Sequence, residues 1–324
     1  MKVCIYGAGA IGGWIGSKLA HAGCSVSVVA RGATLDALQL HGLRLHDGQA
    51  ITSQAVASSD TPADLGVQDL VVLAVKAPSL PDVAHQIAPL LGPETTVLTA
   101  MNGVPWWFLQ GFGGPLAGRQ LASVDPDGLL ARLLPTRHIV GCVVHASCSL
   151  DEPGQVQHHF GNQLIVGEPS GAQSERVQAL ARLLEKAGFE TKVSGQIQQD
   201  IWFKLWGNMT VNPVSALTGA TIDRIMEDDL VRSFITRVML EAQEIGARIG
   251  IRIDQQPEDR HQLTRRLGAV KTSMLQDVEA GKSLELDALV TAVKELGQLS
   301  GVETPYTDAL LGLARLKARV RGLY

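Results

Sequence analysis

A doubly wound α/β sheet followed by an all-helical domain is the fold class this sequence predicts. Three observations predict it. A short strand-like run stops at Gly7-Ala8-Gly9-Ala10-Ile11-Gly12; apolar runs and helical patterns then alternate to about Gly195; and long amphipathic runs take over from Gln196. The expected division is therefore residues 1–195 and residues 196–324.

Lys2 to Tyr6 reads as the first strand and Ile11 to His21 as a helix closed by Gly23 in the C′ position. Ser25 to Ala30 reads as the second strand. Strand, GxGxxG, helix and second strand together make a dinucleotide-binding unit, a context the glycine motif alone lacks. Gly7 permits the tight turn, Gly9 lets backbone approach a pyrophosphate, and Gly12 lets helix and strand pack closely. The helix N-terminus offers N–H groups and a positive dipole end to phosphate. The second strand ends Val28-Val29-Ala30-Arg31-Gly32, with an arginine where an NAD site places Asp or Glu. A guanidinium matches a 2′-phosphate in charge and fork geometry, so NADPH is expected.

Further strands are expected at Asp69 to Val75, Thr96 to Ala100, His138 to Val144 and Gln163 to Gly167, with a helix over Pro81 to Leu91. Lys76 and Asn102 fall where strands end, and carboxyl ends of strands are where doubly wound sheets bind ligands. The helical half reads as runs over Asp200 to Val211, Asp229 to Ile249, Gln262 to Ala280, Ser283 to Ser300 and Thr307 to Arg321. Lys204, Asn208 and Asn212 lie four residues apart, so one helix face presents a cation and two amides, which suits a small oxo-acid. Ile201, Trp202, Leu205, Trp206 and Met209 supply the packing for that helix, and Pro213 is expected to kink or end it. Spacing of this kind alone describes a solvated face just as well.

Composition narrows the function classes. Net charge of −4 argues against nucleic acid, and four cysteines in 324 residues make no disulfide framework. Cys142, His145 and Cys148 sit in a strand-like run without a further ligand cluster, so no metal is expected. No uncharged run reaches the ~18 residues of a membrane span, and the expectation is a soluble, cytoplasmic protein.

Taken together, GAGAIG, VKA, MNG, KLWGNMTVNPVSALTG and TSMLQDVEAGKSLELDAL resemble the ketopantoate reductase family, the 2-dehydropantoate 2-reductases, over nearly the whole chain. The resemblance implies a Rossmann domain followed by a helical domain of the 6-phosphogluconate-dehydrogenase type. It implies NADPH-dependent reduction of a 2-oxo acid, ketopantoate to pantoate in pantothenate biosynthesis. By it Lys204 is the general acid; Asn208, Asn212 and Ser273 contact substrate; Lys76, Asn102 and Glu285 contact the cofactor; and Arg31 holds its 2′-phosphate. Gly281 is expected to break the helix between Ser273 and Glu285.

Three departures bear on substrate. Val290 and Thr291 replace a family Asn-Gly pair, Ser79 replaces a glutamine, and the segment after Asn102 is long. Within that segment Trp106, Trp107 and Phe108 form either an apolar lid near the site or the start of a packed crossover helix. Three rival readings stay open: a reductase of another branched or aromatic 2-oxo acid, a non-catalytic NADPH sensor, and a 3-hydroxy acid dehydrogenase. A homodimer is compatible with a helical second domain.

Overall fold

The computed structural model describes residues 1–324, which form two compact units. The first comprises Met1–Met101 and Gly128–Ile197, the second Asn102–Asp127 and Gln198–Tyr324. The long segment after Met101, up to Asp127, belongs to the second unit.

In the first unit the elements run β1 (Lys2–Tyr6), α1 (Ala10–His21), β2 (Ser25–Val29), α2 (Gly32–His41), β3 (Leu43–His46), β4 (Ile51–Gln54), β5 (Ala57–Ser59), β6 (Gln68–Leu73), α3 (Leu80–Gln86), β7 (Leu91–Thr99), α4 (Leu129–Leu133), β8 (Ile139–Glu152), β9 (Gln155–Gly167), α5 (Glu175–Lys186) and β10 (Glu190–Val193). The strands make one sheet in the order β4-β3-β9-β8-β7-β6-β1-β2-β5, with β10 also on β9. Pairing from β8 through β5 is parallel, and β1 lies between β2 and β6 in register, Tyr6 opposite Val29 and Leu73. That register brings the carboxyl ends of three strands together, where a doubly wound sheet holds its ligand.

Two expectations for this unit are corrected. The strands expected at 138–144 and 163–167 are the inner ends of one long antiparallel hairpin, β8–β9, turned at Pro153 and Gly154. The helix expected over 81–91 ends at Gln86, because Pro89 lies in a following 3₁₀ turn and Leu91 already opens β7.

The second unit continues with α6 (Ile197–Thr218), α7 (Ile222–Glu227), α8 (Asp229–Ile249), α9 (Pro257–Arg265), α10 (Ser273–Glu279), α11 (Ala292–Ser300) and α12 (Pro305–Val320). Asp228 caps α8 through the amides of Leu230 and Val231, and Gly250 ends it in the left-handed conformation. Pro213 neither ends nor interrupts α6, which runs on to Thr218. The residues on either side of it, Asn212, Val214, Ser215 and Ala216, are all buried. Their packing holds a turn that would cost about 3 kcal/mol in isolation. The run expected at 262–280 is two helices: Gly268 has φ of 70° and Thr272 caps α10 through Leu275 N–H. The run expected from Ser283 begins later, with a π turn over Asp287–Thr291 leading into α11.

His261, on α9, is 2% exposed and shares a 2.8 Å hydrogen bond with the Thr236 hydroxyl of α8. Burial pushes its imidazole below the ordinary 6.5, with the Arg265 and Arg232 charges acting in the same direction and Glu258 against. The unfolded chain therefore takes up the proton first. Stability from the neutral imidazole is present above pH 6.5 and is lost as pH falls from there through the lowered folded value. Thermal unfolding scanned against pH should show this acid slope, and His261→Gln should flatten it.

Candidate active site

In the glycine loop of the first unit, Gly7 and Gly12 have the backbone geometry expected of them. Gly7 has φ of 95°, and its amide donates to the Val29 carbonyl at 3.2 Å, closing β1 against β2. A side chain at Gly12 would begin 2.0 Å from the Gly7 carbonyl oxygen and 3.0 Å from Ala74, so loop, helix and β6 touch only without it. A side chain at Gly9 would meet nothing within 4 Å, leaving open space where the loop faces outward. Gly9 is the N-cap of α1 and supplies no side-chain cap, so Ala10, Ile11 and Gly12 carry the first amides of a helix whose positive end is uncapped.

A cavity of about 280 Å³ opens at this loop, lined by Gly7, Ala8 and Gly9 and by Arg31 and Thr34 from beyond β2. Arg31 is exposed and stands at the N-cap position of α2, without a capping hydrogen bond from its side chain. Burial pushes the Tyr6 phenol up while the Arg31 charge pulls it back, so the guanidinium lies within electrostatic reach of that hydroxyl. Ser79, the residue that departs from the family glutamine, lines the same cavity, as do Asp60 and Asp82, which sequence reasoning missed. Lys76 follows β6 directly and caps a 3₁₀ turn, half-buried.

The second unit gathers the remaining residues. On α6, Lys204 and Asn208 are half-buried and Asn212 is buried, so this stripe is no solvated face. The other faces fix the helix: Ile201, Trp202, Leu205, Trp206 and Met209 are buried, and Trp206 Nε1 donates to the Met239 carbonyl of α8 at 2.8 Å. Gly207 makes room for Arg260 of α9, whose guanidinium lies 2.8 Å from where a side chain there would begin and stacks over Phe203.

Asn102 joins the stripe from a distant part of the chain. Lys204 Nζ donates to Asn102 Oδ1 at 2.8 Å. The turn carrying Asn102 is anchored one residue on. Gly103 has φ of 82°, and a side chain there would begin 2.6 Å from the Ala288 carbonyl oxygen, which instead accepts from Val104 N–H at 2.8 Å. Ala288 lies in the π turn that starts two residues after half-buried Glu285. The π turn therefore ties the Asn102 turn to the segment carrying Glu285, while the hydrogen bond ties Asn102 to Lys204. Val290, where the family pattern has asparagine, is buried in that turn, and the Thr291 hydroxyl donates to Asp287 at 2.9 Å. π turns are frequent at functional sites and carry no sequence period, which is why this one escaped notice.

Ser273 is the exposed first residue of α10, and Thr272 rather than Ser273 is its cap. Gly281 has φ of 64° just beyond the helix, leaving Glu285 on separate backbone, as expected. The aromatic segment corrects its expectation. Trp106, Trp107 and Phe108 are 3%, 1% and 0% exposed and form turns, neither lid nor helix. Phe108 packs 6.0 Å from Trp202 between ring centroids, so the segment is core of the second unit.

An ammonium beside amides on a half-buried face can donate to a carbonyl oxygen and orient a carboxylate. The uncapped helix start beside a guanidinium can hold a phosphorylated ligand. No helix is long and apolar enough to cross a membrane.

Comparison with known proteins identifies the family. Residues 3–111 match the family described as Ketopantoate reductase PanE/ApbA, and residues 196–318 match Ketopantoate reductase PanE/ApbA C terminal. A 2-dehydropantoate 2-reductase of Mesorhizobium japonicum is 47% identical over 325 residues, covering 100% of both chains. A candidate ketopantoate reductase of Ralstonia solanacearum MolK2, of known structure, is 54% identical with a TM-score of 0.97, covering 100% of this chain and 99% of that one. The structure of 2-dehydropantoate 2-reductase from Geobacter metallireducens GS-15 is 25% identical with a TM-score of 0.86, covering 98% and 100%.

Proposed function

The chain belongs to the ketopantoate reductase family, a family of oxidoreductases, and from that premise we propose that it reduces ketopantoate to pantoate with NADPH, a step of pantothenate biosynthesis. The observation that carries the reading is the 2.8 Å hydrogen bond between Lys204 and Asn102 on a half-buried face. It gathers a proton donor and an amide from residues far apart in the chain.

The first unit fits a dinucleotide. Gly7, Ala8 and Gly9 line a concavity, with open space at Gly9 and the uncapped start of α1 following directly from it. Gly7, Ala8, Gly9, Ala10, Ile11 and Gly12 would hold the pyrophosphate and Arg31 the 2′-phosphate. Lys76, Asn102 and Glu285 would contact the nicotinamide end. Bound there, the cofactor supplies the hydride that the 2-oxo carbon accepts.

The chain's own residues do the rest. As the carbonyl carbon becomes tetrahedral, negative charge grows on its oxygen, and the Lys204 ammonium stabilises that charge and delivers a proton to it. The product is the 2-hydroxy acid, one hydride and one proton richer than the substrate. Asn102 holds the ammonium in place. Asn208, Asn212 and Ser273 orient the carboxylate and hydroxyl of the substrate. Burial of Trp106, Trp107 and Phe108 removes the lid as an argument for an aromatic acid, which favours ketopantoate.

Turnover of ketopantoate beside other branched and aromatic 2-oxo acids tests the substrate, and a better rate with another acid would replace it. Arg31→Ala tests the cofactor. It should weaken NADPH by ~1–3 kcal/mol, the worth of a charge-assisted contact, and leave NADH unchanged. Equal losses for both nucleotides would mean that Arg31 does not read the 2′-phosphate.

A further inference from the structure

One guanidinium of the second unit lies against the Lys204 helix with no counter-charge of its own. Arg260 of α9 is half-buried, and its Nε is fully buried without a hydrogen-bond partner. The acids of its own helix are engaged elsewhere: Glu258 pairs with Arg265 at 3.0 Å, and Asp259 accepts the Gln256 N–H at 3.0 Å. Burial pushes the Arg260 guanidinium below its ordinary value, and no acid pulls it back up. Burying a cation unpaired is costly, and a bound anion repays that cost. The position is a built one. Gly207 of α6 is buried, and a side chain there would begin 2.8 Å from both Nε and Nη2 of Arg260, so the guanidinium reaches α6 only across a glycine. Its Cζ lies 5.2 Å from the centre of the Phe203 ring, which holds the planar fork from one side. Gly207 stands directly before Asn208 and three residues after Lys204. It therefore lies roughly 60° around the helix from Lys204 and about 100° from Asn208, and Cβ positions three residues apart are separated by about 5–6 Å. The guanidinium flanks the polar stripe.

We propose that Arg260 binds the carboxylate of the 2-oxo acid, beside the oxo group that Lys204 serves. The proposal rests on the reading of the chain as a 2-oxo acid reductase. In such an acid the carboxylate and the oxo oxygen stand on neighbouring carbons, so a site for it needs two cationic donors side by side. Lys204 answers to the oxygen on which charge grows. Asn208, Asn212 and Ser273 can donate hydrogen bonds to a carboxylate, but they carry no charge to offset its loss of water. A guanidinium does both, through two parallel N–H groups that match two carboxylate oxygens. The carboxylate is unchanged by the reaction, so Arg260 holds ground state and transition state alike and its contribution belongs in KM. Arg260 thereby selects acids over uncharged ketones of the same shape.

The test compares reduction of ketopantoate with reduction of its uncharged lactone, both with NADPH. The native chain should favour the acid. Arg260→Gln should cut that preference, taken as the ratio of the two kcat/KM values, by ~10–100-fold, mostly through KM for the acid. Arg260→Lys should recover part of it. Gly207→Ala keeps the charge but displaces the guanidinium, and alanine suits a helix interior, so this variant should fold and lose the same preference. An unchanged ratio in Arg260→Gln would overturn the proposal while leaving the reductase reading in place. So would equal losses for acid and lactone, which would make Arg260 a packing residue. Where an Arg260 variant fails to fold, the ratio in Gly207→Ala decides. A native chain that reduces no 2-oxo acid would overturn the reductase reading, and the carboxylate anchor with it.

Discussion

Lys204→Ala should lower turnover of ketopantoate by ~10²-fold or more while NADPH binds at native strength. The expectation follows from where the ammonium stands. It is half-buried, on a helix fixed by four buried neighbours and Met209, with its Nζ 2.8 Å from Asn102 Oδ1. An alanine there removes the proposed proton donor without opening the core, since the apolar residues face elsewhere around α6. Loss of a group that acts only on developing charge appears in kcat and kcat/KM together. A rise in KM with kcat intact would make Lys204 a binding residue. Asn102→Ala should show a smaller loss in the same direction, because it leaves the ammonium present without its hydrogen bond to Asn102.

Phe108→Ala should destabilise the protein by about 3–5 kcal/mol, the cost of a large aromatic deleted from a packed core. Phe108 is 0% exposed and stacks against Trp202, which stands on α6 two residues before Lys204. The lost packing therefore bears on the helix that carries the stripe. Leu40→Ala is the matched control: that leucine is 76% exposed, and its loss should stay within about 0.5 kcal/mol. Urea unfolding of both variants measures the contrast. An equal, small effect for both would mean that the aromatic segment contributes nothing to the core.

The parts that were legible in the sequence are those where one physical constraint acts alone. Gly7 needs a positive φ, Gly12 needs the absence of a side chain, and both requirements show in the spacing of the loop. Helix α8 begins and ends where its cap and its glycine say, at Asp229 and Ile249. Legibility failed where packing outweighed local preference. Pro213 obeys no helix-breaking rule because its neighbours are buried on every side. The outer halves of β8 and β9 carry Ser147, Cys148 and Ser149 opposite Phe160, His158 and Gln157, a pattern too mixed to announce a strand. The π turn over Asp287–Thr291 shifts the helical phase by one residue, so the run from Ser283 read as one helix and hid its anchor for Gly103.

The candidate site follows the same division. The stripe of Lys204, Asn208 and Asn212 was visible from spacing, but spacing alone did not separate a site from a solvated face. Burial separates them, and so does Asn102, which no periodicity links to α6. Nothing local marked Asp60, Asp82 or Thr34 as lining the cavity beside the glycine loop, because the turn after β5 and two separate helices, α3 and α2, bring them there.

The most direct test of the central claim follows the hydrogen itself. NADPH carrying deuterium at the transferable position is incubated with ketopantoate and the purified chain, and pantoate is examined by mass spectrometry. One deuterium at C2 of pantoate, formed at a rate that Lys204→Ala reduces ~10²-fold, is the predicted result. NADPH that binds but yields no pantoate, under conditions where no other 2-oxo acid is reduced either, would contradict it.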